Sequence, residues 1–384
     1  MQTGPSEHRR EDRPPGRLGF TRTPSEDDPR ADPQLLSAIA RIAPGTHLRQ
    51  AIDDIIRSHE GALIVIGEPS ELSFLFSGGI QLNQPFTPQL LYELAKRDGA
   101  IIIDKALSRL ACANVQLMPD PTIPSAETGT RHRTAERVAK QTDSLVISIS
   151  QQRETVTLFL GPSRYQLDPI GELLSKTNQG LATLETYRQR LQQVLTRLTA
   201  LEFQNAVMLD DVLVVLQRAE LTTRMAEEIE RGCVELGAEG RLIRMQLEEL
   251  VGDVPGEKAA VLYDYHADGG AERTREGLEA LAGLPYPQLL EFELLAVLGY
   301  PATVNPLDYG VTPRGYRVLS HIPRIPESVI KQVVTDLGAL ETIVRASQRE
   351  LESVEGVGAV RAREIREGLR RLQEHNLVDR YLKL

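Results

Sequence analysis

The sequence predicts an α/β domain with a central mixed sheet, followed by an all-α spacer and a small C-terminal helical domain. Three patterns indicate this order. Short apolar runs alternate with amphipathic segments from about residue 32 to residue 168, as in a sheet covered by helices. Leucines then recur every seven residues, and two short apolar-anchored segments flank a Gly-Val-Gly turn near the end. At 384 residues, the chain is long enough for two or three domains.

Composition narrows the class of protein. Hydrophobic residues make up 41 % of the chain and charged residues 26 %, which are ordinary values for a soluble globular protein. No run approaches the roughly 20 apolar residues of a membrane span, and the N-terminus lacks an apolar signal core. The two cysteines lie far apart, so we expect no disulfide or zinc site and a reducing, cytoplasmic setting without membrane attachment.

The net charge of −10 excludes a protein that coats nucleic acid with its whole surface, because such a surface should be basic. If this chain binds DNA, it must do so through a local patch.

The first 168 residues are predicted to form a tail and one domain. Residues 1–31 are rich in Pro, Arg, Asp, Glu and Ser without apolar periodicity, which indicates a disordered tail. In the α/β domain, 32–168, Thr46 is the expected N-cap of a helix, and the glycine-bounded apolar run 61–67 is typical of a buried strand. The other expected elements are helices at 48–56, 89–96 and 132–140, strands at 100–103, 144–150 and 155–160, and a further apolar segment at 113–118.

Residues 169–320 are predicted to form a helical linker. Leu184, Leu191 and Leu198 recur every seven residues, with Leu181 and Leu195 on neighbouring turns. This pattern fits a coiled-coil surface for a partner, but only three heptads are clean. We therefore favour a helical spacer that packs on itself.

Residues 321–384 resemble a helix-hairpin-helix DNA-binding domain. Leu351, Val354, Val357 and Ile365 anchor two short helices around the hairpin Gly356-Val357-Gly358, and Ile325–Ile343 forms a degenerate partner half. Glycines let a phosphate approach the backbone closely, and the next helix directs free N–H groups outward. The expected DNA-binding residues are Gly356, Val357, Gly358, Arg361 and Arg363. Such contacts reach phosphates, so we expect no base-specific recognition.

Two motifs in the α/β domain indicate nucleotide chemistry. The tetrad Thr130-Arg131-His132-Arg133 places two cations and an imidazole at a predicted helix start, which suits a polyphosphate. Asp98-Gly99 directly precedes the apolar strand 100–103. A carboxylate in that setting can hold Mg²⁺ or Mn²⁺ and orient an attacking hydroxyl. The chain has no Walker or dinucleotide-binding glycine motif.

Together, the run 61–67, Asp98-Gly99-Ala100, the segment 130–134 and the terminal hairpin resemble the bacterial DNA integrity scanning proteins, which are diadenylate cyclases. The resemblance covers nearly everything after about residue 33. It implies an α/β catalytic domain that condenses two ATP into cyclic di-AMP and two pyrophosphates. It also implies that the binding of branched or damaged DNA modulates this activity, in DNA-damage checkpoint signalling and DNA repair.

The resemblance also implies roles for individual residues. Asp98 would coordinate the divalent metal and orient or deprotonate the ribose 3′-hydroxyl, with Arg131 and Arg133 as further catalytic residues. The implied ATP-binding residues are Gly99, Ala100, Leu117, Thr130, Arg131, His132, Arg133, Thr134 and Ser150.

Because one ATP supplies the nucleophile for the other, one domain offers only half of a two-fold symmetric site, and we expect a homo-oligomer. Family members are octamers, and several weak DNA patches on one assembly can bind by avidity despite the negative chain. Since DNA is an expected partner, we expect this protein to associate with the nucleoid. The alternative is a non-catalytic oligomeric scaffold that binds DNA and only holds ATP.

Overall fold

A computed structural model describes residues 28–290 and 293–382. The N-terminal part contains an eight-stranded mixed sheet. Its strands are β1 (Leu63–Ile66), β2 (Phe76–Ser77), β3 (Ile80–Pro85), β4 (Ala100–Ile103), β5 (Arg109–Leu117), β6 (Leu145–Ile149), β7 (Val156–Leu160) and β8 (Ser163–Gln166). The strand order is β2-β5-β4-β1-β6-β7-β8, and β3 also pairs with β5. Only β1 and β4 are parallel among these pairs, so the predicted mixed sheet is confirmed.

Helices cover both faces of the sheet. The helices of this part are α1 (Pro33–Arg41), α2 (His47–Arg57), α3 (Pro69–Leu72), α4 (Pro88–Ala95) and α5 (Thr130–Thr142). Ile64 and Ile66 pack with α1, α2 and α4, whereas Leu63 and Val65 pack with α3 and α5. Every residue of β1, β4 and β6 is buried as a result, which explains why these strands are apolar apart from Ser148 of β6.

The expected N-cap is confirmed: the Thr46 hydroxyl oxygen accepts a hydrogen bond from the Arg49 amide at 3.1 Å. Cys112 is buried in the core between the sheet and helices α3 and α5.

The middle of the chain is all-helical. Its helices are α6 (Ile170–Phe203), α7 (Leu209–Leu236), α8 (Arg241–Val251), α9 (Val254–Tyr265), α10 (Ala271–Gly283) and α11 (Leu294–Val297). The leucines at positions 181, 184, 191, 195 and 198 of α6 are all buried, largely against α7. The repeat therefore builds a spacer that packs on itself, as the sequence favoured. We call α6–α11 the spine.

The C-terminal part consists of α12 (Tyr316–Ser320), α13 (Glu327–Leu337), α14 (Leu340–Arg345), α15 (Gln348–Glu352) and α16 (Ala359–Leu382). These helices form two consecutive hairpins, with turns at Gly338 and at Gly356–Gly358. The predicted anchors Leu351, Val354, Val357 and Ile365 are buried in one core with residues of α12 and α13.

Several contacts join the N-terminal part to the spine. The Ala238 amide donates to the Pro44 carbonyl at 2.9 Å, and the Tyr165 hydroxyl donates to the Glu235 carboxylate at 2.7 Å. Residues 28–31 were predicted to belong to a disordered tail, but they pack against the spine beside these contacts. Asp28 ion-pairs with Arg231 and caps a 3₁₀ helix, Pro29–Ala31, so these residues are ordered. Residues 1–27 lie outside the described chain.

Within the described residues, no helix is long and apolar enough to cross a membrane.

Candidate functional site

Strand topology brings the predicted residues to one edge of the sheet. β1 and β4 run parallel, so both begin at this edge, and Asp98 and Gly99 lie directly before β4. β5 and β6 run the opposite way and end there. Because Ala100 pairs with Val115, Leu117 extends beyond the start of β4. Ser150 follows β6 at the same edge. Residues far apart in sequence are therefore collected along one side of the domain.

Gly99 is required by the backbone. Its φ is +94°, and a Cβ there would lie 2.8 Å from the carbonyl carbon of Asn114. Asn114 itself has a φ of 53° at an irregularity in the β4–β5 pairing. Any side chain at position 99 would thus be strained and would displace β5. The turn fixes the direction in which Asp98 leaves the sheet.

The Asp98 side chain is exposed, and among the described residues it has neither a hydrogen-bond nor an ion-pair partner. The acid at the other end of β4 behaves differently. Asp104 accepts hydrogen bonds from the Ser108 and Arg109 amides at 2.7 and 3.0 Å. Partial burial opposes ionisation there, but these bonds and that of the Ser108 hydroxyl hold the pKa of Asp104 below its usual value. Asp104 closes a turn, whereas Asp98 is free for a ligand.

α5 begins at this same edge with its first turn open. Gly129 is the N-cap and supplies no side-chain hydrogen bond, so the first amides of the helix lack a side-chain cap. The Arg131 guanidinium lies along the strand ends, where Nη1 donates to the Ile149 carbonyl at 3.4 Å. A Cβ at Gly61 would lie 2.1 Å from that nitrogen. Because Gly61 has no side chain, it leaves the space that Arg131 occupies. The sequence indicated Gly61 only as the boundary of a strand.

His132 lies against the sheet rather than in solvent. Its ring packs edge-on to Phe159, with 6.5 Å between centroids. Burial, together with the nearby Arg131, lowers the pKa of His132, although Glu127 opposes the shift. The imidazole is therefore neutral at pH 7 and offers one donor and one acceptor nitrogen.

The other predicted site residues differ in accessibility. The Arg133 side chain is exposed and donates to the Glu127 and Thr128 carbonyls at 3.3 and 3.4 Å. Ala100 and Leu117 are buried in the sheet core, so Ala100 can meet a ligand only through its backbone. Thr130 is exposed and Thr134 is half-buried, while the Ser150 hydroxyl accepts a hydrogen bond from the Arg153 amide at 3.3 Å.

The edge fits a metal that arrives with a nucleotide. Within residues 28–290 and 293–382, no group of three or more His, Cys, Asp or Glu could hold a metal ion alone. Mg²⁺ is commonly bound by one or two carboxylates together with substrate phosphates and water. The unpaired Asp98 carboxylate beside an open helix start matches that arrangement.

The second predicted site lies at the other end of α6, whose 34 residues span about 50 Å at 1.5 Å per residue. Gly356 has a φ of +79°, and a Cβ at Gly358 would meet nothing within 4 Å, so this hairpin is open to solvent. Val357 is a buried anchor. The exposed Arg361 donates through Nη1 to the Gly356 carbonyl at 2.6 Å, and Arg363 is exposed two residues later.

Comparison with known proteins gives matches over most of the chain. Residues 49–163 match a family described as the DisA bacterial checkpoint controller nucleotide-binding domain, and residues 167–307 match the DisA bacterial checkpoint controller linker region. The DNA integrity scanning protein DisA of Carboxydothermus hydrogenoformans is 48 % identical over 345 residues, covering 89 % of this chain and 98 % of that protein. That of Acetivibrio thermocellus is 44 % identical over 353 residues, covering 92 % and 98 %.

Proposed function

We propose, since this chain belongs to the DisA family of bacterial checkpoint controllers, that its free Asp98 and open α5 start make cyclic di-AMP from two ATP under the control of DNA. Membership makes the chain a diadenylate cyclase, which is a nucleotidyltransferase. The observation that carries the finer proposal is the meeting of an unpaired carboxylate, a guanidinium and uncapped helix amides at one sheet edge.

In the proposed reaction, the 3′-oxygen of one ATP attacks the α-phosphorus of the other. The bond to pyrophosphate breaks, the hydroxyl proton leaves, and a second attack closes the ring. Asp98 orients the 3′-hydroxyl and accepts its proton or holds the metal. A bound Mg²⁺ or Mn²⁺ supplies charge neutralisation on the phosphates. Arg131, Arg133, the neutral His132 and the first α5 amides hold the triphosphate, so the protein contributes positioning and electrostatic stabilisation.

The remaining ATP contacts belong to the backbone and rim of the edge. Gly99 and Ala100 present main-chain atoms, and Leu117 ends the strand beside them. We propose that Thr130, Thr134 and Ser150 offer hydroxyl groups to phosphate oxygens. These roles rest on the position of each residue at the edge.

The symmetry of the product requires a second copy, and an apolar surface beside the edge suits it. Phe74, Ile80 and Met118 are 64, 53 and 58 % exposed. The Met118 amide donates to the Leu75 carbonyl at 2.8 Å, which places Met118 close to Phe74. Exposed apolar groups that adjoin a half-site favour burial against another protomer. We propose a homo-oligomer paired through this surface, and an octamer by similarity to the family.

DNA is proposed to bind at the far ends of the assembly through the hairpin residues 356–358 with Arg361 and Arg363. The exposed Gly358 and the start of α16 let phosphates approach backbone N–H groups. Binding is sequence-independent and gains from avidity in the oligomer. Because its proposed ligands are ATP and DNA, we propose that the protein acts in the cytoplasm and associates with the nucleoid.

The test is to incubate the pure protein with ATP and Mn²⁺ or Mg²⁺, with and without a four-way DNA junction, and to quantify cyclic di-AMP. We expect product in the presence of metal and a rate that changes with the junction. Arg363→Glu should weaken binding of the four-way DNA junction and abolish the effect of this DNA on the rate of cyclic di-AMP synthesis. Junction binding without product under either metal would instead support the non-catalytic scaffold.

A further inference from the structure

The loop between β5 and α5, residues 118–129, lies along the outer side of α5 and runs antiparallel to it. The Asp120 amide donates to Gln141 Oε1 at 2.9 Å, near the end of the helix. Arg137 Nε donates to the Ile123 carbonyl at 2.9 Å, one turn earlier. Towards the helix start, Arg133 reaches the Glu127 and Thr128 carbonyls. The loop is therefore attached to α5 along its length.

Helical periodicity explains this attachment. Ala135, Val138 and Ala139 face the sheet and are buried. The residues that bind the loop recur at spacings of three and four on a different face, and they are Arg133, Glu136, Arg137, Lys140 and Gln141. One helix thus packs on the sheet with one side and holds its own preceding loop with another.

Glu136 is the centre of these contacts. Its Oε2 accepts the Ser125 hydroxyl at 2.5 Å and the Ala126 amide at 3.1 Å. Its Oε1 accepts Lys140 Nζ at 2.7 Å, and the same ammonium donates to the Pro124 carbonyl at 3.0 Å. The side chain is only 11 % exposed. Burial opposes ionisation, but Lys140 and Ser125 hold the pKa of Glu136 below its usual value, so it is a carboxylate at neutral pH.

We propose that Glu136 is a positioning residue for the ATP triphosphate: it fixes the loop that ends at Gly129, the N-cap of α5. This inference rests on the proposed function. Gly129 precedes the amides and the segment 130–134 that are assigned to the triphosphate, and Leu117 lies at the other end of the loop. Ordering a loose loop on binding costs about 1–2 kcal/mol per residue, so a loop held in advance favours ATP binding.

The variant Glu136→Ala tests this role through a KM-against-kcat split. We expect the KM for ATP to rise about tenfold, the effect of losing hydrogen bonds to a charged group, while kcat changes less than about twofold. Glu136→Gln keeps the side-chain volume and one acceptor oxygen, so its KM should lie between those of the wild type and Glu136→Ala. Glu93→Ala is the control, because the exposed Glu93 of α4 also pairs with a nearby lysine, Lys96 at 2.8 Å directly after the helix, but holds no loop.

A second measurement reads the loop without catalysis. Glutamate-specific protease cuts after Glu127, and mass spectrometry follows that single cleavage in the full chain, with and without ATP. We expect faster cleavage in Glu136→Ala than in the wild type or Glu93→Ala, and protection by ATP in all three. A wild type that makes no cyclic di-AMP would refute the proposed function, while the cleavage rates would still test the loop.

Wild-type KM and cleavage rate in both Glu136 variants would overturn the inference, and so would a lower kcat at unchanged KM. If Glu136→Ala does not fold, the same criteria apply to Glu136→Gln.

Discussion

The sheet edge and the junction between spine and C-terminal part use charge in opposite ways. At the edge, Asp98 is exposed and unpaired among the described residues, and the start of α5 has no side-chain cap. At the junction, Arg317 and Glu202 are 2 and 1 % exposed and form a hydrogen-bonded ion pair. Thr199 and Tyr265 complete that pair, with hydrogen bonds of 2.6 and 2.8 Å.

The backbone at the junction is also satisfied. The Asp264 carboxylate accepts the amides of Gly315, Tyr316 and Arg317 at 2.8–3.0 Å and so caps α12. The paired charges of Arg317 and Glu202 hold the C-terminal part against the spine. The Asp98 carboxylate, by contrast, remains available to bind a ligand. Removing a charge at the edge should therefore affect chemistry and spare the fold, and removing one at the junction should do the reverse.

The largest effect is expected from Asp98→Asn. Cyclic di-AMP synthesis should fall at least ~10³-fold, because the amide neither accepts the 3′-hydroxyl proton nor holds the metal. The melting temperature should stay within about 1 °C, since no described contact is lost. The measurement pairs a product assay with thermal unfolding.

Asp54→Asn serves as the control for that variant. It removes a surface ion pair with Arg57 at 3.0 Å in the same domain and should leave both readouts unchanged. Activity of Asp98→Asn above about a tenth of the wild type would show that Asp98 is not the reactive carboxylate.

The next effect is expected at the junction. Arg317→Met should lower the stability of the native state by about 3–5 kcal/mol, because it leaves the Glu202 carboxylate buried without its cation. Denaturant unfolding measures this loss. Arg197→Met provides the contrast: Arg197 lies on α6, the helix of Glu202, and the variant breaks its 2.9 Å pair with Asp211 of α7. Because Arg197 is 73 % exposed, the cost should stay below about 1 kcal/mol.

Equal losses for the two arginines would contradict the contrast between buried and exposed charge. Restored stability in Arg317→Met/Glu202→Met would sharpen it, because replacing a buried pair by apolar groups is often neutral or stabilising. ATP binding by Arg317→Met should match the wild type under conditions where both are folded.

The sequence predicts the buried parts of the fold better than the exposed parts. The predicted strand 100–103 coincides with β4, and the helix expected at 132–140 lies within α5, because burial on one or both faces leaves an apolar pattern. β3 was not predicted. It is an exposed strand with Asn, Gln and Pro, and it lacks that pattern. β8 was missed for a related reason, since half of its residues are exposed.

The candidate site follows the same division. The motifs at Asp98 and at 130–134 are visible in the sequence, but their shared edge depends on strand order, which no local pattern encodes. The role of Gly61 depends on a tertiary contact with Arg131, and that of Glu136 on the course of a loop. The one local sign of the role of Glu136 is that it is the only acidic residue in the basic helix α5. The catalytic, ATP-binding and DNA-binding assignments stay predictions.

The smallest expected effect also lies at the junction and concerns pH. Both nitrogens of His321 face acceptors: Nδ1 donates to the Arg317 carbonyl at 2.8 Å, and Nε2 contacts the Glu257 carboxylate. The hydrogen bond with Glu257 raises the pKa of His321 above 6.5, although burial and the nearby Arg317 oppose the shift. The protonated form therefore stabilises the fold, fully below pH 6.5, and this contribution is lost as the pH rises through the raised value.

His321→Gln should accordingly lower the melting temperature by about 1–2 °C at pH 6 and have little effect at pH 9. Thermal unfolding across this range measures the difference between the two proteins. As a control, His59→Gln removes a 2.7 Å contact with Glu154 in which the histidine is 76 % exposed, so the melting temperature at pH 6 should stay within about 1 °C of the wild type. A pH-independent difference for His321→Gln would mean that the histidine acts at the junction through packing alone, and the contrast between paired and free charge would then rest on Arg317 and Asp98.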